Sequence, residues 1–187
     1  MKVLKFGGSS LANPARFRDV ADISSHYAAD TPVMLVLSAP QGVTNDLVAL
    51  VSAAQQGGDW QAALDSLQAR FEALIIDADP ALPEYERHAL LQAARDQVQV
   101  LADYAKGIAL LQHCPDPVQA RMLGTGEQFS VALMTASLKA RGLDAGALDA
   151  TRLVKSQGDY LNASADIPAT IAAFTERKTQ GLPRISV

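Results

Sequence analysis

Val3-Leu4-Lys5-Phe6-Gly7-Gly8-Ser9-Ser10, followed by Asn13-Pro14 and then by Val33-Met34-Leu35-Val36-Leu37, is the stretch that decides the fold. Val3 to Phe6 is short, rich in strand formers and runs at once into two glycines and two serines, which predicts a buried strand entering a tight loop. Asn13 and Pro14 have the residue types of an N-cap and first helical position, and Phe17, Val20, Ala21 and Ser24 recur at helical spacing behind them. The uninterrupted apolar run Val33 to Leu37 predicts a second strand, buried on both faces as in a parallel sheet. Strand, glycine loop, helix and strand make a βαβ unit of the first 37 residues.

Beyond that unit, Ser38-Ala39-Pro40-Gln41-Gly42 breaks the strand, and Thr44 is placed to cap a helix carrying Leu47, Leu50 and Val51. From Trp60 to about Leu111 the pattern is helical, with a break near Asp79-Pro80 and Pro83. Leu90, Leu91, Ala94, Val98, Leu101 and Ala105 lie along one face of it. A further helical stretch runs from Cys114-Pro115-Asp116-Pro117 to Ala140, where Arg141-Gly142 ends it. Leu143 to Leu148 and Arg152 to Val154 are expected to be brief strands. Asp166 and Pro168 open a helix through Lys178, and Pro183 to Val187 begins another strand-like run. Alternating strands and helices predict an α/β fold with a mainly parallel sheet.

The 187 residues are 49% hydrophobic and 19% charged, which suits one folded globular domain and excludes general disorder. A net charge of −4, with scattered Lys and Arg, argues against nucleic acid as a partner. No run approaches the roughly 20 apolar residues of a membrane span, so no membrane is expected and a cytoplasmic location is. The single cysteine, Cys114, cannot form an intrachain disulfide, and His26, His88 and His113 lack metal-ligand spacing.

Three segments carry candidate chemistry. Lys5, Gly7, Gly8 and Ser9 stand at the C-terminal end of the first strand, where open α/β sheets place ligands. There glycine amides and a fixed cation can line an anion site. The segment is neither a Walker A loop nor Gly-x-Gly-x-x-Gly, and taken alone it is as readily a plain turn. Ser38 and Thr44 follow the second strand, where hydroxyls can hold a small polar substrate or merely end a strand and cap a helix. Glu127, in Gly124-Thr125-Gly126-Glu127-Gln128-Phe129-Ser130, is either a ligand group or an acid favoured by the helix dipole.

In order and spacing, Lys5-Phe6-Gly7-Gly8-Ser9-Ser10, Val36-Leu37-Ser38-Ala39-Pro40 with Val43-Thr44-Asn45, and Gly126-Glu127 with Ser130 resemble the aspartate kinases of the amino acid kinase family. The helical insertion, about 60–111, and Gly107-Ile108-Ala109-Leu110-Leu111 are most similar to the kinase portion of bifunctional aspartokinase–homoserine dehydrogenases. The resemblance implies a three-layer α/β/α sandwich of the carbamate kinase-like type, represented by its N-terminal, substrate-binding lobe. The ATP-binding lobe and ACT regulatory domains are expected to be absent from this chain.

It also implies phosphoryl transfer from ATP, carried with Mg2+, to the side-chain carboxylate of L-aspartate, giving 4-phospho-L-aspartate for lysine, threonine and methionine synthesis. Lys5 would neutralise charge on the phosphoryl group, and Gly7, Gly8 and Ser9 would donate to it. Ser38 and Thr44 would contact aspartate, and Glu127 would bind its ammonium group. Gln128 departs from the basic residue often found there. A glutamate kinase-like enzyme and a non-catalytic binding or assembly module are the alternatives. The chain is expected to be inactive alone, and to form a homo-oligomer through an unpaired strand edge near Val187.

Overall fold

The computed structural model describes residues 1–187. Strand β1 (Lys2–Phe6) runs through the 3-10 turn Gly8–Leu11 into α1 (Pro14–Asp30), which leads to β2 (Val33–Leu37). The two strands pair in parallel over their whole length, from Lys2 against Val33 to Phe6 against Leu37, so the expected βαβ unit is present. Asn13 caps α1 by accepting from the Arg16 amide, and Phe17, Val20, Ala21 and Ser24 form its buried stripe.

Helix α2 (Val43–Gln55) is followed by α3 (Trp60–Ile76) and α4 (Glu84–Leu111), an antiparallel pair broken where Asp79, Pro80 and Pro83 lie in the sequence. The remaining helical stretch divides at Gly124 into α5 (Asp116–Leu123) and α6 (Thr125–Ala140). Strand β3 (Ala145–Gly146) comes next, then α7 (Ala150–Leu153), the antiparallel hairpin β4 (Ser156–Asp159) and β5 (Asn162–Ala165), α8 (Ile167–Thr179) and β6 (Ile185–Ser186). The main sheet is all parallel, in the order β1-β2-β6-β3.

One core joins the inner face of this sheet to the helices, with Val33, Leu35, Leu37 and Ile185 from the strands and Leu47, Leu67, Phe71, Leu101, Ile108 and Leu133 from the helices. Three arginines fasten the turn between α3 and α4 to the rest. Arg141 pairs with the buried Asp79 at 2.6 Å and with Asp22 at 2.5 Å. Arg18 donates to the Asp77 and Ala78 carbonyls, and Arg87 to those of Ile75 and Ile76. Charge-assisted bonds to backbone carbonyls fix a turn in which Pro80 and Pro83 interrupt the helical pattern.

Several expectations are corrected. β1 and β2 are not buried on both faces, since Val3 is 63% and Val36 46% exposed. The second face of these strands has no helix over it in the described residues. Residues 152–153 are helical, because Asp149 accepts from the Thr151 amide and caps α7. Val187 is buried and β6 is interior, between β2 and β3, so the unpaired strand edges belong to β1 and β3 instead. No helix is long and apolar enough to cross a membrane.

Candidate functional site

The loops that follow β1 and β2 lie side by side because the strands are in register: the Ser38 amide donates to the Phe6 carbonyl at 3.0 Å. Glycine at position 8 lets them touch. A Cβ there would lie 3.1 Å from the Ala39 carbonyl oxygen, in backbone that cannot yield easily. Lys5 extends from the end of β1, and its Nζ lies 3.5 Å from where a Gly7 Cβ would be, so the ammonium folds back over the glycine turn. No carboxylate pairs with Lys5, which leaves its charge available to an anion. Ser9 is exposed in the turn closed by the Ser10 amide donating to the Gly7 carbonyl.

The third segment arrives on α6. A Cβ on Gly126 would lie 2.5 Å from the Ala39 Cβ and 2.9 Å from Val43 Cγ1, distances that no real side chain occupies. Glycine is therefore required for the first turn of α6 to sit on the loop that carries Ser38 and on the first residue of α2. Segments 5–9, 38–44 and 126–127 thus meet at the C-terminal ends of β1 and β2, the place where ligands bind in open α/β sheets.

Thr44 is not the cap of α2. Gly42 holds that position with φ of +86°, a conformation that favours glycine, and Thr44 stands exposed in the first helical turn. Its hydroxyl is thereby released from the capping role. Ser38 is half-buried between the two loops. Glu127 has no capping work either. As the third residue of α6 it would reach back to the Gly124 amide, but that amide already donates to the Ala120 carbonyl at 3.1 Å, because α5 ends where α6 begins. No cation of the chain pairs with the Glu127 carboxylate. Gln128 has a structural partner, accepting from Gln97 of α4 at 3.0 Å.

Two contributors carried no assigned role in the sequence. Ser130 is fully buried one helical turn after Gly126, and its Oγ has no hydrogen-bond partner, an arrangement that costs stability unless something else satisfies it. Arg70 of α3 reaches the Gln41 carbonyl and the Asp46 carboxylate, 29 and 24 positions away in the chain, and no local pattern announces it. A cleft of about 440 Å³ between α4, α5 and α6 borders this region through Thr125 and Gln128. It includes none of Lys5, Gly7, Gly8, Ser38 or Thr44, so it is a separate feature.

What the cluster offers chemically is a free ammonium beside glycine amides at one end, two hydroxyls in the middle, and a free carboxylate on a helix that glycine lets approach closely. A cation and amides suit a phosphoryl oxygen or a carboxylate, and a carboxylate suits an ammonium.

The chain matches known proteins across nearly all of its length. It is 31% identical over 170 residues to a bifunctional aspartokinase/homoserine dehydrogenase of Haemophilus influenzae, covering 89% of this chain and 20% of that protein. It is 32% identical over 154 residues to bifunctional aspartokinase/homoserine dehydrogenase 2 of Escherichia coli, covering 82% and 18%. The chain therefore spans about a fifth of the length of these curated relatives. The crystal structure of E. coli aspartokinase III in complex with aspartate and ADP superposes with a TM-score of 0.82 at 24% identity. All of this chain and 40% of that one are covered, which establishes the shared fold. The sequence model of the amino acid kinase family matches residues 1–178, and the chain belongs to that family.

Proposed function

We propose that this chain provides the aspartate-binding part of an aspartate kinase, which transfers the γ-phosphoryl group of ATP to the side-chain carboxylate of L-aspartate. The observation that carries the reading is the convergence, at one end of the sheet, of the three segments that contain Lys5, Ser38 with Thr44, and Glu127, which the close approach of Gly8 and Gly126 to Ala39 allows. Supporting it, Lys5 and Glu127, the two charged groups, have no partner within the chain, and Glu127 is freed from capping by the Gly124 to Ala120 hydrogen bond.

In this reading Glu127 holds the substrate ammonium, and the Ser38 and Thr44 hydroxyls donate to its carboxylates. The side-chain carboxylate is ionised at neutral pH, with an ordinary pKa near 3.9, so the chain needs no general base. A carboxylate oxygen of aspartate forms the new P–O bond as the bond to ADP breaks, and the electron pair leaves with ADP. Lys5 and the amides of Gly7 and Gly8 stabilise the charge on the transferred group, the usual protein contribution to this chemistry. ATP, when bound with Mg2+, supplies that group. The glycine turn under the Lys5 ammonium fits a phosphoryl end.

Calorimetric titration tests the proposal. Saturable binding of L-aspartate, with none of L-glutamate, is the expected result. Binding of L-glutamate alone would transfer the reading to a glutamate kinase-like enzyme, and binding of neither would leave a non-catalytic module.

A further inference from the structure

The helical insertion holds both halves of the site through two adjacent residues of α3. Arg70 lies against the loop after β2. Its Nε is 3.0 Å from Asp46 Oδ2 and its Nη1 is 3.4 Å from the Gln41 carbonyl oxygen. The same guanidinium lies 3.5 Å from where a Cβ on Gly42 would be. Asp46 Oδ2 is screened from solvent and makes no aligned hydrogen bond, so the charge contact with Arg70 is what it has. Phe71, the next residue and fully buried, turns to α6 and stacks on Phe129, with ring centroids 4.2 Å apart and planes 12° from parallel. Phe129 is two residues beyond Glu127. Glu72, next again, accepts from Arg95 of α4 at 2.9 Å and from Gln68 at 3.1 Å, which fixes this stretch of α3 in turn.

We infer that Arg70 and Phe71 are positioning residues: Arg70 sets the loop and helix start that present Ser38 and Thr44, and Phe71 sets the turn of α6 that presents Glu127. This rests on the aspartate-binding reading above. Neither side chain needs to touch substrate. Each acts on a different element, and α3 keeps the two in one geometry. A salt bridge on the surface stabilises a protein little, so the contribution of Arg70 is read at the loop and at the ligand rather than in the melting temperature.

The test compares Arg70→Ala, Arg70→Lys and Phe71→Leu with the unaltered chain, by amide hydrogen exchange and by L-aspartate titration. Phe71→Leu keeps apolar bulk, so the chain folds while the ring stack is lost. Arg70→Ala is expected to speed exchange at the hydrogen-bonded amides of Val43 and Asp46 by about 10-fold and to leave Gln128 to Ser130 unchanged, with Phe71→Leu giving the reverse pattern. Each should weaken aspartate binding by about 5-fold or more, because displacement of a positioning group by a fraction of an ångström is felt at the ligand. Arg70→Lys, which keeps the charge without the planar fork, should recover part of the loss. Folded variants with unaltered exchange and unaltered aspartate affinity overturn the inference. If the unaltered chain binds no aspartate yet the variants give the two local exchange patterns, the positioning role stands and the substrate reading falls alone.

Discussion

The excursion between α2 and α5 buries Leu64, Leu67, Phe71, Leu74 and Ile75 from α3 and Ala94, Val98, Leu101, Ala105 and Ile108 from α4. The excursion between β3 and β6 buries Leu153 alone, and α8 contributes nothing to the core. Both leave the same sheet and return to it. The first has merged with the core and reaches the site with two side chains. The second is held by local bonds, such as Asp166 accepting from Gln157 at 2.6 Å and the Thr170 hydroxyl accepting from the Lys155 amide at 3.0 Å. It leaves Tyr160 69%, Ile167 59% and Ile171 60% exposed. Regions with few buried apolar contacts open locally at low free-energy cost, whereas a buried helix pair opens with the whole domain.

The largest effect that separates the two lies at Phe71. Phe71→Ala removes a fully buried ring from the junction of α3 and α6 and should cost about 3–5 kcal/mol of global stability, read from the midpoint of a urea transition. A cost below about 1 kcal/mol would show that the helical insertion is no part of the core and would dissolve the comparison.

Glu127 sharpens it next, because its helix is braced by the first excursion. Glu127→Gln preserves size while removing charge and should weaken L-aspartate binding by about 2–4 kcal/mol, as for one partner of a desolvated charge pair. Its effect on stability should stay below about 1 kcal/mol, the limit for a helix-dipole contribution. Unaltered aspartate binding with a lowered melting temperature would return Glu127 to the bland role.

Much of the braced region was legible in the sequence because its signals are local. The strand formers before Gly7-Gly8, the Asn13-Pro14 cap and the 3.6-residue stripe from Ala94 to Ala105 each specify their element without reference to neighbours. The hairpin at 156–165 was not legible. Every residue of β4 and β5 is exposed, so no hydrophobic alternation exists to mark them as strands. The exposure of Val3 and Val36 escaped for the opposite reason: an apolar run reports the capacity to be buried, and what covers each face is decided elsewhere. The site was legible as three motifs. That Gly126 joins two of them is a matter of close packing, and that Arg70 holds one of them is a contact across 24 residues, which no periodicity carries.

Ile171 gives a smaller effect from the second excursion. Ile171→Ala should change global stability by no more than about 0.5 kcal/mol, since 60% of the side chain is already in solvent. A loss above about 2 kcal/mol, measured in the same urea transition, would mean that α8 unfolds with the core.

The smallest separation is in pH dependence, where each excursion carries one carboxyl held below the ordinary carboxylate range. Glu72 is lowered first by the hydrogen bond from Arg95, then by that from Gln68. Asp149 is lowered first by the Thr151 hydroxyl, then by the Thr151 amide and the charge of Arg152. In both cases the folded state favours the ionised form. The contribution to stability is therefore complete above the unfolded pKa, about 4, and is lost as pH falls through the lower folded value. Glu72 ties α3 to α4 inside the cooperative body, so Glu72→Gln should flatten the acid limb of the global stability curve by up to about 1 kcal/mol, the range of a partly exposed ion pair. Asp149 caps a single short helix outside that body. Asp149→Asn should leave the global curve alone and speed amide exchange at Thr151 between neutral pH and pH 5, where the carboxylate of the unaltered chain remains ionised. An acid limb that shifts with Asp149→Asn and not with Glu72→Gln would reverse the assignment of which excursion belongs to the core.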